Sequence, residues 1–587
     1  MVGTLTLVAI GIVAYSAGAT ALQRLGFLPA SLSVFGPITT IHTQRGRALL
    51  ERLARHRRFW RAWANVGVGF ALLVGVGMFL TVVFSGIMGV QQPESNPIQE
   101  PTDALVLPGV NEFLPLEAAP EIIAGLLIAM VVHEGGHGLL CRVEDIDIES
   151  MGLALFTVIP IGAFVEPDEE SQRAADRGAK TRMFAAGVTN NFVLTAIAFL
   201  LLFGPVAGSI QAVGGVAVGG ALPGSPAETA GLGQGDVITE VNGTQVTNQS
   251  TFTDRMAESA GRTVDLTLDD GDPVRVERSV YVTAAIADGP LALETGETIV
   301  EVDGTTVGTV QELFDAVENQ SSATVTTENG TEMSGPIGAY VNGVATDGPL
   351  SSAGAPASES IVVTRFDDQR IRSGEDLSAA LDGTEPGEQV KVEAVHDGQT
   401  HTYTVVLGEH PREPIGFLGV TGVQPGISGV AISDLGIQTY PAGTYLSLLG
   451  GEGPQLDLSA GQRIVSIVTL PFATVASPLV PFNFAGFIGP VTNFYAIEGP
   501  LAFLGGGVFL LANVLFWTAW INVNLAVFNL IPLFPLDGGH ILRTSTEAVL
   551  ARTPFNRRWA VRAVTVSVGL VMFASLMLML FGPQLLT

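Results

Sequence analysis

The pentapeptide His133-Glu134-Gly135-Gly136-His137 sets two imidazoles four residues apart, with a carboxylate beside the first. At 3.6 residues per turn, positions i and i+4 lie one above the other on a helix face, where both rings can hold one Zn2+ and the acid can serve as general base for a water. The surrounding stretch, Ile122 to Leu140, is otherwise apolar and long enough to cross a bilayer. Each ionisable group near a bilayer centre costs roughly 2 to 3 kcal/mol. Three together therefore read as functional, against the alternative of histidines merely hydrogen-bonded between helices.

A catalytic zinc takes three protein ligands and keeps one position open. A second polar cluster can supply the third: Asn529-Leu-Ile-Pro532-Leu-Phe-Pro535-Leu-Asp537-Gly538-Gly539-His540. Asp537 is the only acid between Glu498 and Glu547, and the prolines before it break the helix so that its carboxylate can turn inward. His540, nearer the aqueous loop, is the rival third ligand.

The elements that must position these groups are apolar stretches near 3–22, 65–89, 121–140, 183–207, 503–530 and 561–584, six expected crossings. The first lacks a basic leader and a clear cleavage site and reads as a retained anchor with its N-terminus outside. Arg45, Arg47, Arg52, Arg55, Arg57, Arg58 and Arg61 then mark a cytoplasmic loop. Alternating from there, 90–118 is external, 143–182 is cytoplasmic, and the cluster Arg543, Arg552, Arg557, Arg558 and Arg562 is cytoplasmic again. Residues 151–165, β-branched and interrupted by Pro160, predict a hairpin dipping into the membrane. Residues 464–490 carry Pro471, Pro478, Pro481 and Pro490 and read as an interfacial or re-entrant loop.

Charge is concentrated in one segment. Between Gly208 and Ala460 there are 36 acids against 9 bases, which excludes nucleic acid as a partner of this insert. Lys180 and Lys391 are the only lysines, a composition similar to that of salt-loving archaea, and Cys141 is the only cysteine, so no disulfide braces the insert.

The insert repeats itself. Gly235-Asp-Val-Ile-Thr-Glu-Val-Asn-Gly243-Thr-Gln-Val246 recurs as Gly296-Glu-Thr-Ile-Val-Glu-Val-Asp-Gly304-Thr-Thr-Val307, with a weaker copy over Ile361 to Ile371 and a shared Asp-Gly-Pro-Leu lead-in at Asp288 and Asp347. Each unit is a short β-rich module.

His133-Glu134-x-x-His137 in one span, Asn529-x-x-Pro532-x-x-x-x-Asp537-Gly538 in a later one, and PDZ-like modules between them resemble the site-2 protease family of intramembrane zinc metalloproteases. The resemblance covers 121–207 and 503–545 closely. It implies that His133, His137 and Asp537 bind Zn2+ and that Glu134 is the catalytic base. Ala186-Gly187-Val-Thr-Asn190-Asn191 is similar to the family's Gly-x-x-x-Asn motif, which makes Asn191, with Asn529, a candidate for substrate positioning or oxyanion stabilisation; an interhelical hydrogen bond is the alternative for Asn191. In the PDZ-like insert, Val216, Ala217, Val218, Gly219 and Gly220 are the expected edge strand for a peptide ligand, the alternative role of the insert being a spacer that excludes bulky domains by size.

The expected fold is thus a polytopic α-helical membrane protein of about six transmembrane helices, multi-pass in the cell membrane, with an extracytoplasmic β-rich PDZ-like insert. Residues 1–120 form a two-span module with an arginine-rich loop, and 121–207 the core with the histidine motif. Residues 208–460 form the insert, with repeats near 213–283, 284–340 and 341–408, and 461–587 the C-terminal membrane core. The implied activity is cleavage of single-span membrane proteins within their transmembrane segments, in regulated intramembrane proteolysis. The rival is a non-enzymatic membrane scaffold binding extracellular peptides.

Overall fold

The computed structural model of the protein describes residues 4–91, 108–109, 114–287, 289–410, 414–476, 482–553 and 557–586. They divide into a helical unit (Met1–Ala212, Gly443–Thr492 and Ala496–Thr587) and a β-rich unit (Val213–Ala442 with Asn493–Tyr495). The β-rich unit is narrower than the expected 208–460. Most of the 90–118 linker, together with Asp288, Pro478 and Pro481, lies outside the described residues.

The helical unit is built from α1 (Thr4–Arg24), α2 (Gln44–Ala54), α3 (Arg57–Gln91), α4 (Ala119–Val143), α5 (Arg177–Leu201), α6 (Gly507–Asn529), α7 (Asp537–Leu550) and α8 (Arg557–Leu586). Among the described residues, five helical stretches are long and apolar enough to cross a membrane: Arg57–Gln91, Leu116–Val143, Arg177–Ser209, Gly507–Asn529 and Arg558–Gly582. The 21-residue α1 coincides with the expected first span. Leu73, Val76, Phe84, Leu570 and Phe573 on α3 and α8 are exposed, as expected of helices solvated by lipid, whereas Phe516, Trp517 and Asn522 on α6 are buried. Helices approach through small residues. A Cβ on Gly125 of α4 would lie 3.0 Å from the backbone of Trp517, and one on Gly86 of α3 2.8 Å from the Ser575 carbonyl of α8.

The hairpin expected over 151–165 is present as β3 (Ile148–Phe156) and β4 (Ile159–Pro167). It belongs to a larger antiparallel sheet, because β1 (Leu32–Phe35) and β2 (Ile38–His42) extend it in the order β1-β2-β3-β4. Those two strands were not anticipated, although Leu-Ser-Val-Phe-Gly-Pro-Ile-Thr-Thr-Ile alternates in hydropathy about a turn, with Gly36 at φ 61°. Among the described residues, β4 forms one edge of this sheet and β1 the other.

The stretch 464–490 is broken into helix Ala460–Thr469 and short turns at Leu470–Phe472 and Ala473–Ala476. Trp520 Nε1 donates to the Val468 carbonyl at 2.8 Å, Trp517 Nε1 to Ala485 at 3.1 Å, and Asn513 pairs with both backbone groups of Phe487. Among the described residues of this stretch, backbone groups of Val468, Ala485 and Phe487 are thus satisfied by side chains of α6.

The β-rich unit contains three six-stranded sheets that repeat one plan. In each, the repeated strand ends in a tight turn with its first corner in the left-handed region, at Asn242, Asp303 and Asp367. The side chain at that corner accepts from a neighbouring strand's N–H, those of Asp265, Thr324 and Lys391 respectively. The closing strands come late and in reverse order: Val420–Val423 joins the third sheet, Val430–Ser433 the second and Ile437–Thr439 the first. The modules are therefore nested, and their sheets draw on residues beyond 213–283, 284–340 and 341–408. One consequence corrects an expectation. Strand Val216–Ala221 is not an edge, because it pairs with Val237–Val241 on one side and Ile437–Thr439 on the other. Among the described residues, Pro273–Glu277 and Ile437–Thr439 end the strand order of that sheet. A partner strand more than 200 residues downstream leaves no local signal.

Candidate active site

Helix α4 carries both histidines on one face, and α7 brings Asp537 to them from its first turn. His133 Nε2 and His137 Nε2 are 3.1 Å apart, and Asp537 Oδ2 lies 3.2 Å from the first and 3.3 Å from the second. These are the edges of a nearly equilateral triangle. In a tetrahedral zinc site with bonds of about 2.05 Å, adjacent ligand atoms are about 3.3 Å apart. Asp537 Oδ2 is buried without a hydrogen bond, and the three donors form the one candidate metal cluster among the described residues. The donor set and its spacing fit a metal ion with one position left for water. His540 is not in that cluster; its ring stacks on Phe184 at 4.2 Å with Phe534 edge-on at 4.8 Å.

The surroundings prepare both imidazoles. His137 Nδ1 meets the Met183 carbonyl at 2.8 Å, which requires a proton on Nδ1 and leaves a lone pair on Nε2. Behind His133, fully buried Asn191 places its amide 3.2 Å from Nδ1 while its Oδ1 has no partner among the described residues. Turning that amide over lets Oδ1 accept from His133 Nδ1–H and gives the second ring the same tautomer as the first. Close approach of α5 depends on Gly187, where a Cβ would stand 2.6 Å from His137 Nε2. At the start of α7, a Cβ on Gly538 would collide with the Leu530 carbonyl.

Glu134, next to His133 on α4, accepts at Oε2 from the Val165 N–H of β4 at 3.0 Å. The far end of α4 is pinned by Glu144, whose buried carboxylate takes Arg61 of α3 at 3.1 Å and Arg182 of α5 at 2.8 Å. Sequence reasoning missed Glu144, since an acid following a span looks like ordinary surface charge. It also missed the bond from Trp63 Nε1 to Asn190 Oδ1 at 3.2 Å, which ties α3 to the Gly187–Asn191 segment. Asn529 behaves differently from Asn191. Among the described residues no hydrogen bond links its side chain to the cluster; the buried asparagines of α6 are Asn513, which holds Phe487, and Asn522, which donates to the Thr518 carbonyl at 2.6 Å and leaves Oδ1 unpaired.

Membrane-length helices around a largely buried His-His-Asp triangle with an adjacent carboxylate define a membrane protein with the donor set of a metal-dependent hydrolase. Residues 121–576 match the model of peptidase family M50, and the chain belongs to that family. It is 26% identical over 228 residues to uncharacterized protein MJ0971 of Methanocaldococcus jannaschii, covering 38% of this chain and 57% of that one. It is 27% identical over 211 residues to the zinc metalloprotease RasP of Oceanobacillus iheyensis, covering 35% and 42%. The chain spans roughly half the length of these curated relatives. Among solved structures, the PDZ domain of an SdrC-like protein from Listeria monocytogenes aligns at 20% identity with a TM-score of 0.13, covering 14% of this chain and 85% of that domain.

Proposed function

We propose that the chain is an intramembrane zinc endopeptidase that cuts single-span membrane proteins within their transmembrane segments, in regulated intramembrane proteolysis. The observation that carries this reading is the triangle of His133, His137 and Asp537 with Glu134 beside it, on helices of membrane length. His133, His137 and Asp537 hold the metal. Zn2+, when bound, supplies Lewis acidity toward a peptide carbonyl and makes water acidic enough to be deprotonated near neutral pH. Glu134 takes a proton from the attacking water and passes it to the leaving amine. Its hydrogen bond from Val165 fixes one carboxylate oxygen and leaves the other for the water. Asn191 keeps His133 in its ligating tautomer, a positioning role in place of direct contact with substrate.

A transmembrane helix hides its peptide bonds in its own hydrogen-bond ladder, so a substrate must unwind locally and find backbone partners. Strand β4 provides them, being an edge of its sheet and joined at Val165 to the catalytic base. The protein is multi-pass in the cell membrane with six crossings, α1 being the first. The arginine-rich ends face the cytoplasm, so the cut fragment leaves on that side. The β-rich insert lies outside, and its peptide ligand adds to a free sheet edge such as Ile437–Thr439.

The test is a reporter with one helix-weakened transmembrane segment and a trimmed outer domain, compared in membranes holding wild type or Glu134→Gln. Cleavage within the helix by wild type alone supports the reading. No cleavage of several such reporters by a metal-loaded wild type would sink it.

A further inference from the structure

Where α5, α7 and α8 begin or cross on one side of the helical unit, a cavity of about 610 Å3 opens between Arg177, Arg543, Arg558 and Arg562. Glu547 is the only acid in its lining. That carboxylate is shared by Arg177 at 3.5 Å and Arg543 at 3.4 Å, whereas Arg558 and Arg562 have no ion pair among the described residues. Four guanidinium groups against one carboxylate leave the pocket strongly cationic, and guanidinium forks match phosphate oxygens bidentately.

The depth of the pocket identifies its anion. Arg558 and Arg562 occupy the first two turns of α8, and after Arg562 that helix carries no further charge to Leu586. Trp559, beside them, is 73% exposed, and Val564, Val566 and Leu570 below are exposed as well. An exposed tryptophan at the junction of arginines and bare aliphatic surface marks the headgroup level of a bilayer. We infer that this cavity binds the phosphate headgroup of an anionic phospholipid. The inference rests on α8 crossing a membrane, as in the proposed function, but not on peptidase activity. Phe534 forms part of the wall, three residues before Asp537, so a bound headgroup rests against the loop that presents the third ligand.

Lipid retention by the full chain, released from nanodiscs made with phosphatidylglycerol and phosphatidylcholine, can be counted by native mass spectrometry. Wild type and Glu134→Gln should both retain phosphatidylglycerol in preference to phosphatidylcholine. Arg558→Gln with Arg562→Gln should weaken that preference by about fivefold per arginine. Arg558→Lys with Arg562→Lys, which keeps the charge, should retain most of it and shows that the altered helix still folds. Arg45→Gln with Arg52→Gln removes equal charge elsewhere. An equal loss in that control would mean diffuse surface attraction and overturn the pocket. Displacement of the lipid by inorganic phosphate, with phosphate binding in pure phosphatidylcholine, would overturn the lipid as its source. Because no arm reads cleavage, an inactive enzyme that still selects phosphatidylglycerol counts against the proposed function alone.

Discussion

Glu134 and Val165 are joined by a hydrogen bond from the strand's backbone N–H to the helix's carboxylate, 3.0 Å long, so an edge of the four-stranded sheet runs into the carboxylate proposed as catalytic base. Since Val165 N–H points away from β3, the alternation of a strand makes Ala163 N–H point outward too. Ala163→Pro removes that outward donor without touching the β3 ladder. Cleavage of a helix-weakened reporter is expected to fall at least about tenfold, the effect of roughly 1.4 kcal/mol, one to two net backbone hydrogen bonds. Metal content should stay at the wild-type level. Unchanged cleavage would remove β4 from the substrate path.

Replacing Glu134 by Gln keeps shape and removes basicity. A positioned general base contributes about 10²- to 10⁴-fold, and a loss in that range is expected, with zinc retained on the purified protein. Loss of zinc along with activity would place Glu134 among the ligands instead.

Asn191 and Gly187 offer a sharper pair of tests, because neither need touch substrate. Loss of a group that orients a ligand typically lowers metal affinity about 10- to 100-fold. Asn191→Ala is expected to do so when zinc affinity is measured by chelator competition. Were affinity unchanged while KM rose, Asn191 would instead contact substrate. Gly187→Ala drives a Cβ to 2.6 Å from His137 Nε2 and should abolish zinc binding. Gly135→Ala on α4, where a Cβ meets nothing within 4 Å, should bind zinc normally.

The site was legible in the sequence because its residues carry local signals: a four-residue histidine spacing, an acid alone in an apolar run, prolines that break a helix before Asp537. The hairpin at β3 and β4 could be read from β-branched composition, yet its partner strands at 32–42 were hidden beside the arginine-rich loop. What could not be read was pairing at long range. Glu144 becomes a buried anchor only once Arg61 and Arg182 converge on it. Likewise Val216–Ala221 looks like an edge until Ile437–Thr439 returns to cover it.

That return makes the nested modules depend on their seams. At the first, Arg278 is buried and donates to the carbonyls of Ser259 and Gly261 at 2.5 and 3.1 Å, and its guanidinium pairs with Asp434. Asp434 lies between the closing strands of the second and first sheets, and its other oxygen accepts from the Val310 N–H at 2.7 Å, at the start of the second module's helix. Removing the arginine therefore strands a largely buried carboxylate and leaves carbonyls unpaired at once. Breaking a buried pair in this way costs about 3 to 5 kcal/mol. Arg278→Ala should make the β-rich unit of the full chain markedly more sensitive to limited proteolysis while zinc content stays normal. Arg275→Ala, three residues earlier and paired with Asp265 across an exposed sheet edge, should change neither. Equal protease resistance in both variants would mean that the seam contributes no stability and that each nested sheet holds its closing strand unaided.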